Sequence, residues 1–487
     1  MGQATKLLKH SSIYAVGNIS RQLIGFLMLP VYTTYLTPAD YGVVGLLIFM
    51  VSLIELLFGG HMFHAIPKFY FDQESQKERN CLLSTALIVT TLTSIVTVFF
   101  VALFSNPAST LLFGTAEYAL LVCMFAVQIL TNALENYALV YLRIQQKPLL
   151  FVAVNFAKLA LQLSLNIIFV VYLEKGVLGV AISSMLSSIL FATIMTIYTL
   201  AKVGLNYSKE VTLKLLKFSW PLWVGGIAGL YIGSANRYYI RLFSSLDDVG
   251  LFTLAAKFGS IIFLLIWTPF GQYWQTERYN IYRQKNALPI FQLVYTTIST
   301  LLIIVALGVA LFSDPVIRIM AAEAFHPASL AVPFLALGGV FQCLVTYNNF
   351  SFLVKEKTAW MSRNSYLTAG VITIFYLLLI PSFGFVGAAA AALGANFVQF
   401  LVVFTAAKKH FDMQLKLQPL FRSISIAVAA FFLAWFFKSG HLLVDIGINL
   451  LIYIPAAILL LYPLTRLPQT KHFLGVFTQR FRRKSTN

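Results

Sequence analysis

Apolar residues in this chain do not alternate along strands or recur along one helical stripe. They fill runs of about 20 residues separated by short polar stretches, the length a helix needs to cross a hydrocarbon core about 30 Å thick. Fourteen such runs are predicted, at 11–36, 43–66, 81–104, 118–142, 150–172, 177–201, 218–243, 250–272, 289–312, 329–353, 365–381, 384–406, 422–437 and 443–464. The connections are short, the longest on the odd-numbered side running over 313–328, so no folded extramembrane domain is expected.

The runs repeat. Displaced by 208 residues, Lys6-Leu-Leu-Lys9 falls on Lys214-Leu-Leu-Lys217, Asp40 on Asp248, Gly42 on Gly250, and Gly176-Val-Leu-Gly179 on Gly384-Phe-Val-Gly387. The expected fold is therefore an all-α integral membrane protein of about fourteen helices. Residues 1–208 and 209–410 form two six-helix lobes, and 411–487 adds two helices and a basic cytoplasmic tail. An even number of spans per repeat gives both lobes the same orientation, related by a pseudo-two-fold axis along the membrane normal.

Composition agrees: 59% of residues are apolar, 11% are charged, and mean hydropathy is +0.81. Of 35 lysines and arginines, 27 lie on the termini and even-numbered connections, and only Lys175, Arg318 and Lys438 on the odd-numbered ones. Cations accumulate on cytoplasmic connections, so both termini are expected in the cytoplasm and the protein in a multi-pass inner-membrane topology. The net charge of +18 then reflects topology, and no nucleic-acid partner is implied. Cys81, Cys123 and Cys343 have no paired spacing and read as packing residues. The first apolar run is too long for a signal-peptide core and is expected to stay. The tail from Arg466 mixes cations with aromatics, a composition suited to an anionic membrane surface.

The remaining five cations, Arg21, Lys158, Arg237, Arg241 and Lys257, lie inside spans. Charge at bilayer depth costs about 2.5–3.5 kcal/mol per residue even on the gentler scales, so such residues usually face a bundle interior or a watery cavity. Arg241 and Lys257 are near enough to the outer surface to snorkel to it, whereas Arg21 and Arg237 are deeper. Within the spans Glu55 and Glu135 are candidate salt-bridge partners or H⁺ or Na⁺ coupling sites, and Asn132, Asn155, Gln162 and Asn166 are polar for buried helices. An anionic ligand visiting Arg21, Arg237, Arg241, Lys257 and Lys158 would offset the excess positive charge, because arginine forks match phosphate oxygens. Pro30, near the outer end of the first span, is a candidate hinge. Thr37-Pro-Ala-Asp40 has the form of a capping box, and Ser245-Leu-Asp-Asp248 repeats it. His61 and His64 lack a third ligand, so no metal site is expected, and no set of catalytic residues is present, so the chain reads as no enzyme.

Twelve spans in two lobes, two further spans, and the turns Thr37-Pro-Ala-Asp-Tyr-Gly42 and Ser244-Ser-Leu-Asp-Asp-Val-Gly250 resemble the polysaccharide flippases of the multidrug/oligosaccharidyl-lipid/polysaccharide exporter superfamily. The resemblance implies transfer of an undecaprenyl-pyrophosphate-linked oligosaccharide from the inner to the outer leaflet through a V-shaped basic cavity, with Arg21 and Arg237 where cavity arginines sit. It also implies no cofactor beyond H⁺ or Na⁺ coupling, with membrane lipids, a glycan polymerase and export machinery as partners. One departure is that the first span lacks the acidic residue common in the superfamily's multidrug exporters, which disfavours a cationic-drug exporter. An ion-coupled small-molecule exporter on the same fold is the alternative, and a membrane-embedded glycan polymerase or ligase a more distant one.

Overall fold

The computed structural model describes residues 28–58 and 65–465, with Phe26, and its regular elements among these are all helical. Arg21, His61, His64 and the basic tail lie outside the described residues. Among the described residues ten helices are long and apolar enough to cross a membrane, or eleven if the bent pair Glu323–Leu330 and Val332–Leu353 is one span. The chain divides into two compact units, 1–253 and 254–487, with the boundary inside one helix, and each is taken in turn.

In the first unit, α1 (Leu29–Tyr35) leads to α2 (Pro38–Phe58), then α3 (Ile66–Tyr70), α4 (Gln76–Leu103), α5 (Ser105–Phe113), α6 (Ala119–Ile144) and α7 (Pro148–Asn166). A π-helical turn, Ile167–Tyr172, extends α7 before α8 (Gly176–Val203), α9 (Lys209–Ser234), α10 (Asn236–Phe243) and the start of α11 (Leu246–Gly259). The capping box at α2 forms as expected: Thr37 N–H donates to Asp40 Oδ2 at 3.0 Å, and Asp40 N–H donates to Thr37 Oγ1 at 3.1 Å. At α11, Asp248 N–H donates to Ser245 Oγ at 3.1 Å. Helices α4, α6 and α8 pack together through small hydroxyl-bearing positions such as Ser84, Ser94, Ser183 and Ser187, all buried, a composition that lets membrane helices approach closely. The opposite face of α4 exposes Leu92, Ile95, Val96, Phe99 and Phe100, as a lipid-facing surface should.

The second unit continues through a π-helical turn, Phe263–Trp267, into α12 (Thr268–Tyr282) and α13 (Ala287–Met320). A 3-10 segment, Glu323–Leu330, precedes α14 (Val332–Asn348), α15 (Phe350–Leu353), α16 (Ala359–Lys408), α17 (Gln418–Phe436) and α18 (Leu442–Thr465). The last two pack on α13. An aromatic core built on Trp274, Phe291, Tyr347 and Phe350 includes a stacked Trp274–Tyr347 pair at 5.2 Å.

The two expected spans 365–381 and 384–406 are both present, as the two arms of α16 on either side of Gly384, whose backbone is not helical. Gly384 has φ 53° there, and a Cβ on Gly387 would lie 2.2 Å from the Leu379 carbonyl oxygen, so the two arms touch. The repeat supplies the same device: Gly176 also has φ 53°, and a Cβ on Gly179 would lie 2.7 Å from the Phe169 carbonyl. A similar contact recurs, its acceptors 208 residues apart and its donors 210. The carbonyls of Leu83 and Phe291 each accept a tyrosine hydroxyl, from Tyr137 at 2.9 Å and Tyr347 at 2.8 Å. The seventh expected span is divided between α9, whose first turns carry Lys209, Lys214 and Lys217, and α10, which carries Arg237 and Arg241.

Candidate functional site: a cationic crossing in the first unit

Helices α2 and α11 meet backbone to backbone at two glycines. A Cβ on Gly42 would sit 2.1 Å from the Leu246 carbonyl oxygen, and one on Gly250 would sit 1.9 Å from that of Pro38, so only hydrogen fits at either position. One turn further along α2, a Cβ on Gly45 would lie 2.6 Å from Thr253 Oγ1 and 3.6 Å from Arg237 Nε. The Arg237 side chain thus lies against bare backbone where α2, α10 and α11 converge. Its Nη1 donates to the Oδ1 of Asn236, a buried residue, at 3.4 Å.

Arg241, one turn on and sharing that helix face, reaches α5 instead: a Cβ on Gly114, which caps α5 with φ 80°, would overlap its Nη2. The guanidinium therefore rests at the C-terminal end of a helix, where partial negative charge from the last carbonyls favours a cation. Helix α5 lies in what reads as an outer loop in the sequence, because its Ser-Asn-Pro-Ala-Ser-Thr start lacks apolar periodicity. Lys257 belongs to the second unit and continues the face of α11 begun by Gly250 and Thr253.

A second polar group crosses α2, α6, α7 and α8. Lys158 Nζ on α7 donates to both carboxylate oxygens of Glu135 on α6, at 2.6 and 2.7 Å, with both side chains at least four-fifths buried. Asn132, one turn before Glu135, lies in hydrogen-bonding reach of Glu55 on α2. Gln162 donates to Ser184 Oγ at 3.2 Å, and Asn166 to the Tyr32 hydroxyl at 2.7 Å. Glu135 and Lys158 are thus brought together, apart from the group around Arg237. Pro30 sits in the first turn of α1, where proline is tolerated without breaking a helical bond.

The second unit holds an apolar cavity of about 420 Å³ between α13, α14 and α17, lined by Leu307, Leu311, Phe431 and Trp435 among others. One end is polar, and sequence reading missed it. There Asp314 receives Lys438 Nζ at 3.0 Å, Arg318 Nε at 3.1 Å and Ser329 Oγ at 3.0 Å. Asp445, also buried, accepts from the Ser439 N–H at 2.7 Å. All these charges lie near span ends, where the sequence gives no sign that they converge.

Among known proteins, the family profile described as polysaccharide biosynthesis protein matches residues 7–273. No curated protein matches the chain. Among solved structures, the lipid II flippase MurJ in an inward closed conformation is similar at TM-score 0.74 and 16% identity, over 93% of this chain and 99% of that one. A MATE multidrug transporter of the DinF type is similar at TM-score 0.61 and 15% identity, over 85% and 98%. An inward-facing MATE family transporter of the MOP superfamily is similar at TM-score 0.59 and 16% identity, over 81% and 94%.

Proposed function

The chain belongs to the polysaccharide biosynthesis protein family, and from that premise we propose that it is a flippase for an undecaprenyl-pyrophosphate-linked oligosaccharide, carrying it from the inner to the outer leaflet of the bacterial cytoplasmic membrane. The observation that carries this reading is the packing of Arg237 against Gly45 inside an apolar bundle, with Arg241 one turn away. A guanidinium at that depth is costly, and a pyrophosphate accepting its paired N–H donors would offset the cost. The repeat supports alternating access between two lobes, 1–208 and 209–410, with Arg21 and Lys257 adding to the anion path and Pro30 as a hinge. Glu55, beside Asn132, is the residue we assign to H⁺ or Na⁺ coupling, since Glu135 is engaged by Lys158. The glycan polymerase and export machinery are the partners this role calls for.

Complementation of a flippase-deficient strain tests the reading, with surface glycan and membrane protein level measured together. Arg237→Ala should abolish surface glycan at normal protein level, and Arg237→Lys should restore part of it, since lysine keeps the charge and loses the fork. Wild-type glycan from Arg237→Ala would return this arginine to a packing role.

A further inference from the structure

We infer that Lys68 and Lys214 form a site for the phosphate group of a membrane lipid, at the helix ends of the first unit that the charge distribution assigns to the cytoplasm. Lys68 lies on the short helix α3 and Lys214 in the second turn of α9. The two are brought together by an edge-to-face ring pair, Phe69 and Phe218, whose centroids are 5.4 Å apart. Lys68 Nζ sits 4.5 Å from the Phe218 centroid and 5.5 Å from that of Phe69, and Lys214 Nζ sits 4.7 Å from the Phe69 centroid. Both ammonium groups are therefore gathered around one ring. Phe69 is itself buried, and Phe218 packs on the same core through Leu215 and its neighbours, so the rings are fixed supports.

An aromatic face positions a cation without neutralising it: the attraction is about 0.5–1 kcal/mol at exposed sites, and the full charge remains available to another partner. Lys158 shows the contrasting arrangement, its ammonium taken up by both oxygens of Glu135. Among the described residues neither Lys68 nor Lys214 forms an ion pair, and Glu210, one turn before Lys214, does not reach it. Other cations of the same unit are held in the same way. Arg79 lies over Tyr70 at 5.3 Å, and Lys147 lies over Tyr198 at 5.7 Å while donating to its hydroxyl at 3.0 Å. Two exposed cations that keep their charge around one ring, at helix ends the charge distribution assigns to the cytoplasm, fit an anionic phosphate. Two lipids carry that chemistry to this leaflet, an anionic phospholipid and the pyrophosphate of a polyprenyl carrier. The carrier outcome rests on the proposed function, whereas the phospholipid outcome is independent of it.

The experiment uses the full chain in phosphatidylcholine nanodiscs, titrated separately with phosphatidylglycerol and with undecaprenyl pyrophosphate, with bound lipid counted by native mass spectrometry. The double variant Lys68→Gln/Lys214→Gln should weaken binding of at least one probe by about tenfold, the loss expected for removing charge-assisted hydrogen bonds. Lys68→Arg/Lys214→Arg should retain it, which guards against a mere loss of folding, and Lys77→Gln on the same connection should have no effect. Loss confined to phosphatidylglycerol assigns the site to bulk anionic lipid, and loss confined to undecaprenyl pyrophosphate assigns it to the carrier. Wild-type binding of both probes by the glutamine double variant overturns the proposal.

Discussion

Lys158 and Arg237 are both cations inside apolar spans, and the structure gives them different surroundings. Lys158 is matched by a bidentate carboxylate, whereas Arg237 lies beside Gly45 and donates to Asn236 Oδ1. For the pair, removing one partner should be worse than removing both, because a buried charge left alone costs about 3–5 kcal/mol. Thermal unfolding in detergent should show Glu135→Ala and Lys158→Ala each lowering the midpoint markedly, with the double variant closer to wild type than their sum. Strictly additive losses would contradict the pair. The sequence marks these residues as unusual, since any charge in an apolar run stands out. It does not say which carboxylate meets which cation, because that depends on how α6 and α7 are rotated about their axes by packing. The convergence of Asp314, Lys438 and Arg318 was invisible for a related reason: each sits at a span end, where charge is ordinary, and only the docking of α17 and α18 on α13 brings them together.

At the scale of elements, run length and the 208-residue period located the helices well, and the breaks less well. Both glycines that open the Gly-x-x-Gly motifs, Gly176 and Gly384, hold positive φ in the bends where helices double back. A side chain in that conformation costs about 1–2 kcal/mol. Gly384→Ala and Gly176→Ala should each lower the unfolding midpoint by a few degrees, and fluorescence-detected size exclusion should show less monodisperse protein for each. Unchanged behaviour of both variants would show that the bends tolerate Cβ. The turn between 381 and 384 was legible, since Gly384 takes a non-helical backbone there and divides α16 into the two arms the apolar pattern predicts. The break between α9 and α10 falls at Ala235, which keeps helical dihedrals, directly after the pair Gly233-Ser234, a combination that marks helix bends.

For the whole molecule, the asymmetric placement of lysine and arginine predicts orientation. A reporter active only in the cytoplasm should work when fused after Lys285 or Asn487 and fail after Asp248. Activity after Asp248 would reverse the assignment, and with it the leaflet toward which Lys68 and Lys214 are turned. The period in the sequence made the repeat legible from residues alone. What it could not show is that repeat-related positions touch one another, since a sequence period says nothing of distance.

That contact has a consequence of its own. Residue 42 approaches the carbonyl of residue 246, and residue 250 approaches that of residue 38, so each side of the crossing presents to the other the surface it receives. Between separate subunits this would be called an isologous interface, in which residue i contacts j and j contacts i. Here one chain makes such an interface with itself, as two covalently joined copies of a half-length homodimer would. Positions 42 and 250 are therefore not independent: a side chain added at either one meets a carbonyl of the other repeat, and neither repeat can change at this point unless the other accommodates it.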